Sequence, residues 1–172
     1  MATLRRANLD DADALAWLAE RTFRETFGAE NFQVDLDLHC ASYFSSEIQS
    51  REILDPNLVT ILAEEAAELV AFAQVRPLSP KPCVHVEHPS ELNRLYVSSE
   101  WHGSGLAHEI MTEVLTIAKQ GGAGCLWLGV WEHNPRAIAF YHKYGFKVVG
   151  EHVFQLGTDP QQDLVLAVDI KR

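Results

Sequence analysis

The chain carries two hydrophobic rhythms, one with a period near 3.6 residues and one with a period of two, and they fall in an order that predicts mixed α/β structure. Leu15, Leu18, Ala19, Thr22, Phe23 and Phe27 share one face at helical spacing, which predicts a helix over residues 9 to 27. Asp10, Asp11 and Asp13 stand at its start, where carboxylates suit the positive end of the helix dipole. Further helices are expected over 34 to 44 and 46 to 54, the second stopped by Asp55-Pro56-Asn57. A short strand is expected over 3 to 7, and strands over 58 to 64 and 69 to 78 read as a hairpin. Its turn lacks the preferred Asn-Gly chemistry.

The proline-rich stretch 79 to 89 reads as an irregular loop, followed by a strand over 91 to 97 and a helix over 105 to 120. That helix shows a broad apolar face of Leu106, Ile110, Met111, Val114, Leu115 and Ala118. Residues 125 to 131 are apolar apart from Gly129, as expected of a strand covered on both sides. Strand, helix and strand in this order predict a parallel, right-handed crossover. A helix over 134 to 144 is punctuated by Asn134 as N-cap, Pro135 at its first position and Gly145 past its end. Strands over 146 to 155 and 164 to 170 close the chain. With no repeat or linker, residues 1 to 172 read as a single α/β domain.

Composition narrows the function classes. Net charge is −10 with no basic block, which argues against nucleic acid and favours a cationic small partner. No stretch approaches the roughly 18 apolar residues of a membrane span, and the N-terminus lacks a signal-peptide core. Cys40, Cys83 and Cys125 are odd in number and scattered, so a cytoplasmic, reducing location is expected. Cys83, His85 and His88 have ligand spacing but lie in the proline-rich loop, which lacks the rigid frame a metal site needs; no metal is expected.

Chemistry concentrates at two places. His102-Gly103-Ser104-Gly105-Leu106-Ala107 joins a strand to a helix, where glycines let the backbone approach a ligand and free N–H groups can face an anion. A bare glycine-rich connection would look the same. A dinucleotide fingerprint would need a small residue at His108, and a P-loop would need Gly-Lys-Ser/Thr; neither fits. Downstream, Ala137, Phe140, Tyr141 and Tyr144 share a helix face, which by itself suits an ordinary core.

Together the two blocks resemble the GCN5-related N-acetyltransferases, the GNAT family. Leu95-Tyr96-Val97 with Gly103-Ser104-Gly105-Leu106-Ala107 is similar to the family's signature for the coenzyme A pyrophosphate. Asn134, Ala137, Phe140, Tyr141, Gly145 and Phe146 are similar to its second acetyl-CoA block, beside which Lys143 is a further cofactor candidate. The stretches 127 to 134, 152 to 157, 163 to 164 and 22 to 27 resemble the PaiA-type branch of polyamine N-acetyltransferases. His102 departs from the usual Gln or Arg, though its imidazole can still donate to a phosphate.

The resemblance implies a mixed, mostly antiparallel twisted sheet flanked by helices, with a parallel strand pair at the acetyl-CoA site. It implies acetyl transfer from acetyl-CoA to a primary amine, a polyamine or another small amine. Backbone groups at Leu95 and Val97 would hold the pantetheine, and Tyr141 would protonate the departing thiolate. Glu91 is the candidate base through water, placed by period-two alternation on the face of Asn93, Leu95 and Val97. Glu132 competes for that role. Peptide acetylation and a non-catalytic acyl-CoA regulator are the alternative functions, and a homodimer remains open.

Overall fold

A computed structural model describes residues 1 to 171. One seven-stranded sheet organises them, in the spatial order β1-β2-β3-β4-β5-β7-β6. The strands are β1 (Thr3–Arg6), β2 (Val59–Glu65), β3 (Glu68–Arg76), β4 (Pro89–Val97), β5 (Cys125–Trp131), β6 (Lys147–Leu156) and β7 (Asp159–Asp169). Every neighbouring pair is antiparallel except β4 and β5, which are parallel and joined through a helix. The helices are α1 (Ala12–Phe27), α2 (Gln33–Tyr43), α3 (Ser46–Leu54), α4 (Leu106–Gln120) and α5 (Pro135–Lys143).

The predicted apolar faces become two cores, one on each side of the sheet. Leu15, Leu18, Phe23 and Phe27 of α1 join Leu36 and Cys40 of α2 over Leu62, Phe72 and Trp131. On the other side, Ile110, Met111 and Val114 of α4 meet Ala73, Val75, Leu126 and Leu128, with Tyr141 and Phe146 beside them. β5 is therefore buried on both faces except at Gly129, as its composition requires. Asn134 caps α5 by accepting from the Ala137 N–H at 3.2 Å, and Gly145 follows the helix with φ +86°. Among the described residues, no helix is long and apolar enough to cross a membrane.

Several boundaries differ from expectation, and three have a clear local cause. Residues 9 to 11 form a 3-10 turn ahead of α1, because Asn8 and Asp11 close a reciprocal capping box there. β4 begins at Pro89, since at the first residue of a strand a missing N–H costs little. β7 begins at Asp159, five residues earlier than its apolar run suggests, because the tight turn at Gly157-Thr158 zips the polar residues 159 to 163 onto β6.

The β2–β3 turn is made by Ala66 and Ala67, at φ +51° and +66°. Two-residue hairpins favour this left-handed geometry, yet each alanine Cβ there costs roughly 1–2 kcal/mol. Replacing Ala66-Ala67 with Asn-Gly should therefore raise the Tm by roughly 2–4 °C for each kcal/mol recovered, measured by thermal denaturation. An unchanged or lower Tm would contradict the strained turn.

Candidate active site

β4 and β5 pair over only three positions, Pro89 with Cys125, Ser90 with Leu126 and Glu91 with Trp127. Beyond Glu91 they part. The β3–β4 register shows the cause: Val75 faces Leu92 while Gln74 faces Arg94, so Asn93 is an inserted residue. A bulge of this kind bends its strand and breaks the ladder. A cavity of about 300 Å³ opens between the strands, and residues of both cores line it. The gap passes through the sheet.

The bulge also corrects the expected facing of Glu91. Leu92, Leu95 and Val97 all pack on the α4 side, which the uninterrupted alternation of a flat strand would forbid. Tyr96 packs on the α1 side, and Asn93 and Arg94 reach Gln74 on that side at 3.4 and 2.7 Å. Glu91, opposite Arg76 and one residue before Leu92, faces with them and away from Leu95 and Val97. Its Oε2 accepts a hydrogen bond from the Ser79 hydroxyl at 2.7 Å. Glu132, the competing base, lies outside this cavity and pairs with His133 at 3.3 Å.

On the α4 side, β4 leads into the loop 102 to 107. Gly103 and Gly105 adopt φ +79° and +91°, where a side chain would be strained. No side chain caps the start of α4, and among the described residues the N–H groups of Gly103, Gly105 and Ala107 have no partner. The Leu106 N–H is taken by Ser104 Oγ at 3.3 Å, and the Leu106 side chain is buried.

His102 does something the sequence does not suggest. Its Nε2–H donates to the Val97 carbonyl at 2.9 Å, and its Nδ1 accepts from Arg136 Nη1 at 2.6 Å. Both ring nitrogens are occupied, so the expected donor to a phosphate is spent inside the protein. Arg136 is instead brought beside the loop. It sits in the first turn of α5, where the helix dipole disfavours a cation. Such a placement suits an anion held between two helix starts.

α5 contributes the remaining predicted residues. Ala137, Phe140 and Tyr144 pack toward α4, with the Phe140 ring 5.1 Å from that of His108 and the Tyr144 hydroxyl 2.8 Å from its Nδ1. Lys143 is exposed. Asn134, Ala137 and Tyr141 reach the cavity. Burial, with Tyr96 nearby, raises the Tyr141 hydroxyl well above the usual tyrosine value, while burial pushes Tyr96 up to about 12. Both therefore keep their protons at neutral pH.

The opposite wall is aromatic and acidic. Phe27, Trp131 and Phe154 line it, with His39 stacked on Phe23 at 4.3 Å. Arg94 is neutralised by Glu52 at 2.8 Å. The hairpin β6–β7 places His152 and Asp163 as direct cross-strand partners, 3.2 Å apart, lying over Gly129. α2 is fixed above this wall because Asp35 Oδ1 accepts from the N–H and the hydroxyl of Thr158, at 2.8 and 2.7 Å.

The resemblance in sequence holds over most of the chain. Residues 12 to 146 match the model of the acetyltransferase (GNAT) family. The chain belongs to this family. An uncharacterised N-acetyltransferase of Mycobacterium tuberculosis is 31% identical to it over 166 residues, covering 94% of this chain and 99% of the relative. The PaiA N-acetyltransferase of Thermoplasma acidophilum, solved with coenzyme A, superposes with a TM-score of 0.82 at 20% identity, covering 98% and 99% of the two chains. An acetyltransferase of Salmonella typhimurium, yncA, solved with acetyl-CoA, gives 0.68 at 18% identity, covering 100% and 95%. The chain is an acetyl-CoA-dependent acetyltransferase with the GNAT fold.

Sequence reasoning missed His39, Arg136, Gly129 and the His152–Asp163 pair. Placing β7 at 164 left Asp163 in a loop, so its pairing with His152 was invisible. His39 yields a test of the wall on the α1 side. Burial first, then the charge of Arg94, lowers its pKa from 6.5 to about 4. The unfolded chain binds a proton there below pH 6.5 and the folded one does not, so stability is complete above 6.5 and declines from 6.5 to about 4. His39→Phe should lose that part of the acid dependence in Tm measured against pH. An identical pH dependence in the variant would contradict the burial.

Proposed function

We infer that this acetyltransferase modifies the primary amine of a small cationic acceptor of polyamine type. The observation that carries this is the contrast between the two faces of the sheet around the gap. The α4 side offers unpaired N–H groups, two helix starts and Arg136, which suit a pyrophosphate. The α1 side offers Glu91 and Asp163 in an aromatic wall, which suits an organic cation. Likeness to a PaiA N-acetyltransferase supports the same acceptor class.

In this reading the coenzyme's pyrophosphate lies over Gly103 to Ala107, with Arg136 as its cation and His102 as the residue that aims it. The pantetheine follows the edge of β4 at Leu95 to Val97, which lacks a strand partner and whose Val97 carbonyl is held by His102. Ala137, Phe140 and Asn134 wall the arm, and exposed Lys143 is available to an outer phosphate. The thioester then reaches the bulge, where the Tyr141 hydroxyl protonates the thiolate as it leaves. Glu91 attracts the ammonium group from the other face.

Free coenzyme A released from acetyl-CoA, followed against spermidine, spermine, amino acids and peptides, tests the acceptor class. Turnover should favour the polyamines; preference for peptide N-termini, or binding without turnover, would overturn it. Tyr141→Phe should lower turnover by roughly 10²-fold while sparing acetyl-CoA affinity. Unchanged turnover would remove Tyr141 from the reaction.

A further inference from the structure

We propose that His152, aimed by Asp163, is the group that takes the proton from the attacking amine. This rests on the amine-transfer reading above and assigns its missing base. His152 and Asp163 face each other across β6 and β7, and Asp163 in turn neighbours Trp131 across β7 and β5. Both line the cavity that Tyr141 reaches from the other face. Gly129 makes this possible: a Cβ there would stand 2.7 Å from His152 Cε1 and 3.0 Å from its Nε2. The imidazole occupies the space that any other residue of β5 would fill.

The pairing fixes the chemistry of the ring. A carboxylate only accepts, so His152 Nε2 carries the hydrogen it shares with Asp163 Oδ2 at 3.2 Å. The lone pair is then on Nδ1. That nitrogen meets neither solvent nor a protein donor, and the same holds for Asp163 Oδ1 and His39 Nδ1. Three orphaned polar atoms around one cavity are a cost that core packing normally avoids. A bound N–H, met by a small turn of the ring, removes part of it.

The other titratable groups around the ring fit the task less well. From α2, His39 is held neutral in its aromatic stack, and burial keeps the hydroxyls of Tyr96 on β4 and Tyr141 on α5 protonated. Arg94 on β4 is a cation already paired with Glu52. Glu91, also on β4, carries the Ser79 hydrogen bond, and a carboxylate is a weak base for an amine. An imidazole oriented by a carboxylate is the common arrangement for accepting a proton near neutrality.

The step balances. The ammonium ion held at Glu91 gives a proton to His152 Nδ1, which frees the lone pair, and His152 passes that proton to solvent. The lone pair forms the C–N bond to the acetyl carbon as the C–S bond breaks and the thiolate takes the Tyr141 proton. The proton still surplus on the new nitrogen returns through water to Tyr141, leaving an amide, a free thiol and one proton in solution. Asp163 touches neither reactant and is a positioning residue, and Glu91 serves to hold the ammonium form.

His152→Gln, Asp163→Asn, Gly129→Ala and Glu91→Gln, each checked for an unchanged acetyl-CoA affinity, test this with spermidine as the amine. His152→Gln should lower kcat/KM by roughly 10²-fold or more and remove the ionisation of the base from the pH–rate profile. Asp163→Asn and Gly129→Ala should lower kcat while leaving the KM for acetyl-CoA in place. Glu91→Gln should raise the KM for spermidine and keep the profile. A His152→Gln enzyme within threefold of the wild type, or a profile that changes only in Glu91→Gln, overturns the proposal. Side-chain ¹⁵N NMR of His152 gives a second readout that needs no turnover: the Nε2–H tautomer is expected, and an Nδ1–H tautomer overturns it. Wild-type inactivity on every amine would instead sink the transfer reading, with the NMR still deciding the dyad.

Discussion

The structure turns on two parallel strands that pair for three residues and then separate. Asn93 is the lever: one inserted residue bends β4 away from β5 and leaves its edge without a strand partner, the Val97 carbonyl being held by His102. Elsewhere the neighbouring strands stay paired, with register shifts after Ala63 and Val148, and a buried core lies on each side. An open edge inside such a sheet is costly unless a ligand completes it. The extended arm of a coenzyme can do so with the same hydrogen bonds that a strand would use.

This break divides the work between the two faces. α4 and α5 stand on one side, with a loop whose glycines, free N–H groups and Arg136 make a positive site on a chain of net charge −10. α1, α2 and the β6–β7 hairpin stand on the other, with aromatic rings and two carboxylates. In the proposed reaction an anion and a cation are drawn to opposite faces of the gap, and their reactive groups meet within it. In that reading Tyr141 and His152 serve from opposite faces, one holding a proton and one with a lone pair to offer.

Much of this was legible in the sequence. Helical faces on α1 and α4, the caps of α5 and the doubly buried β5 follow from spacing and turn residues alone. The glycine-rich loop was visible too, and so was Tyr141. What was hidden depends on register. Alternation along β4 puts Glu91 beside Leu95, and only the bulge at Asn93 reverses it. His152 and Asp163 are eleven residues apart and become partners only once Gly157-Thr158 sets the hairpin. His102 read as a phosphate donor because its link to Arg136 spans thirty-four positions. No local pattern records such contacts.

The edge of β4 beyond Glu91 is where the coenzyme is proposed to complete the sheet. Amide hydrogen exchange with and without coenzyme A measures this directly. Protection should rise at residues 93 to 97 and 103 to 107, leaving β1 and β2 as they were. Coenzyme binding with unchanged exchange along β4 would contradict it.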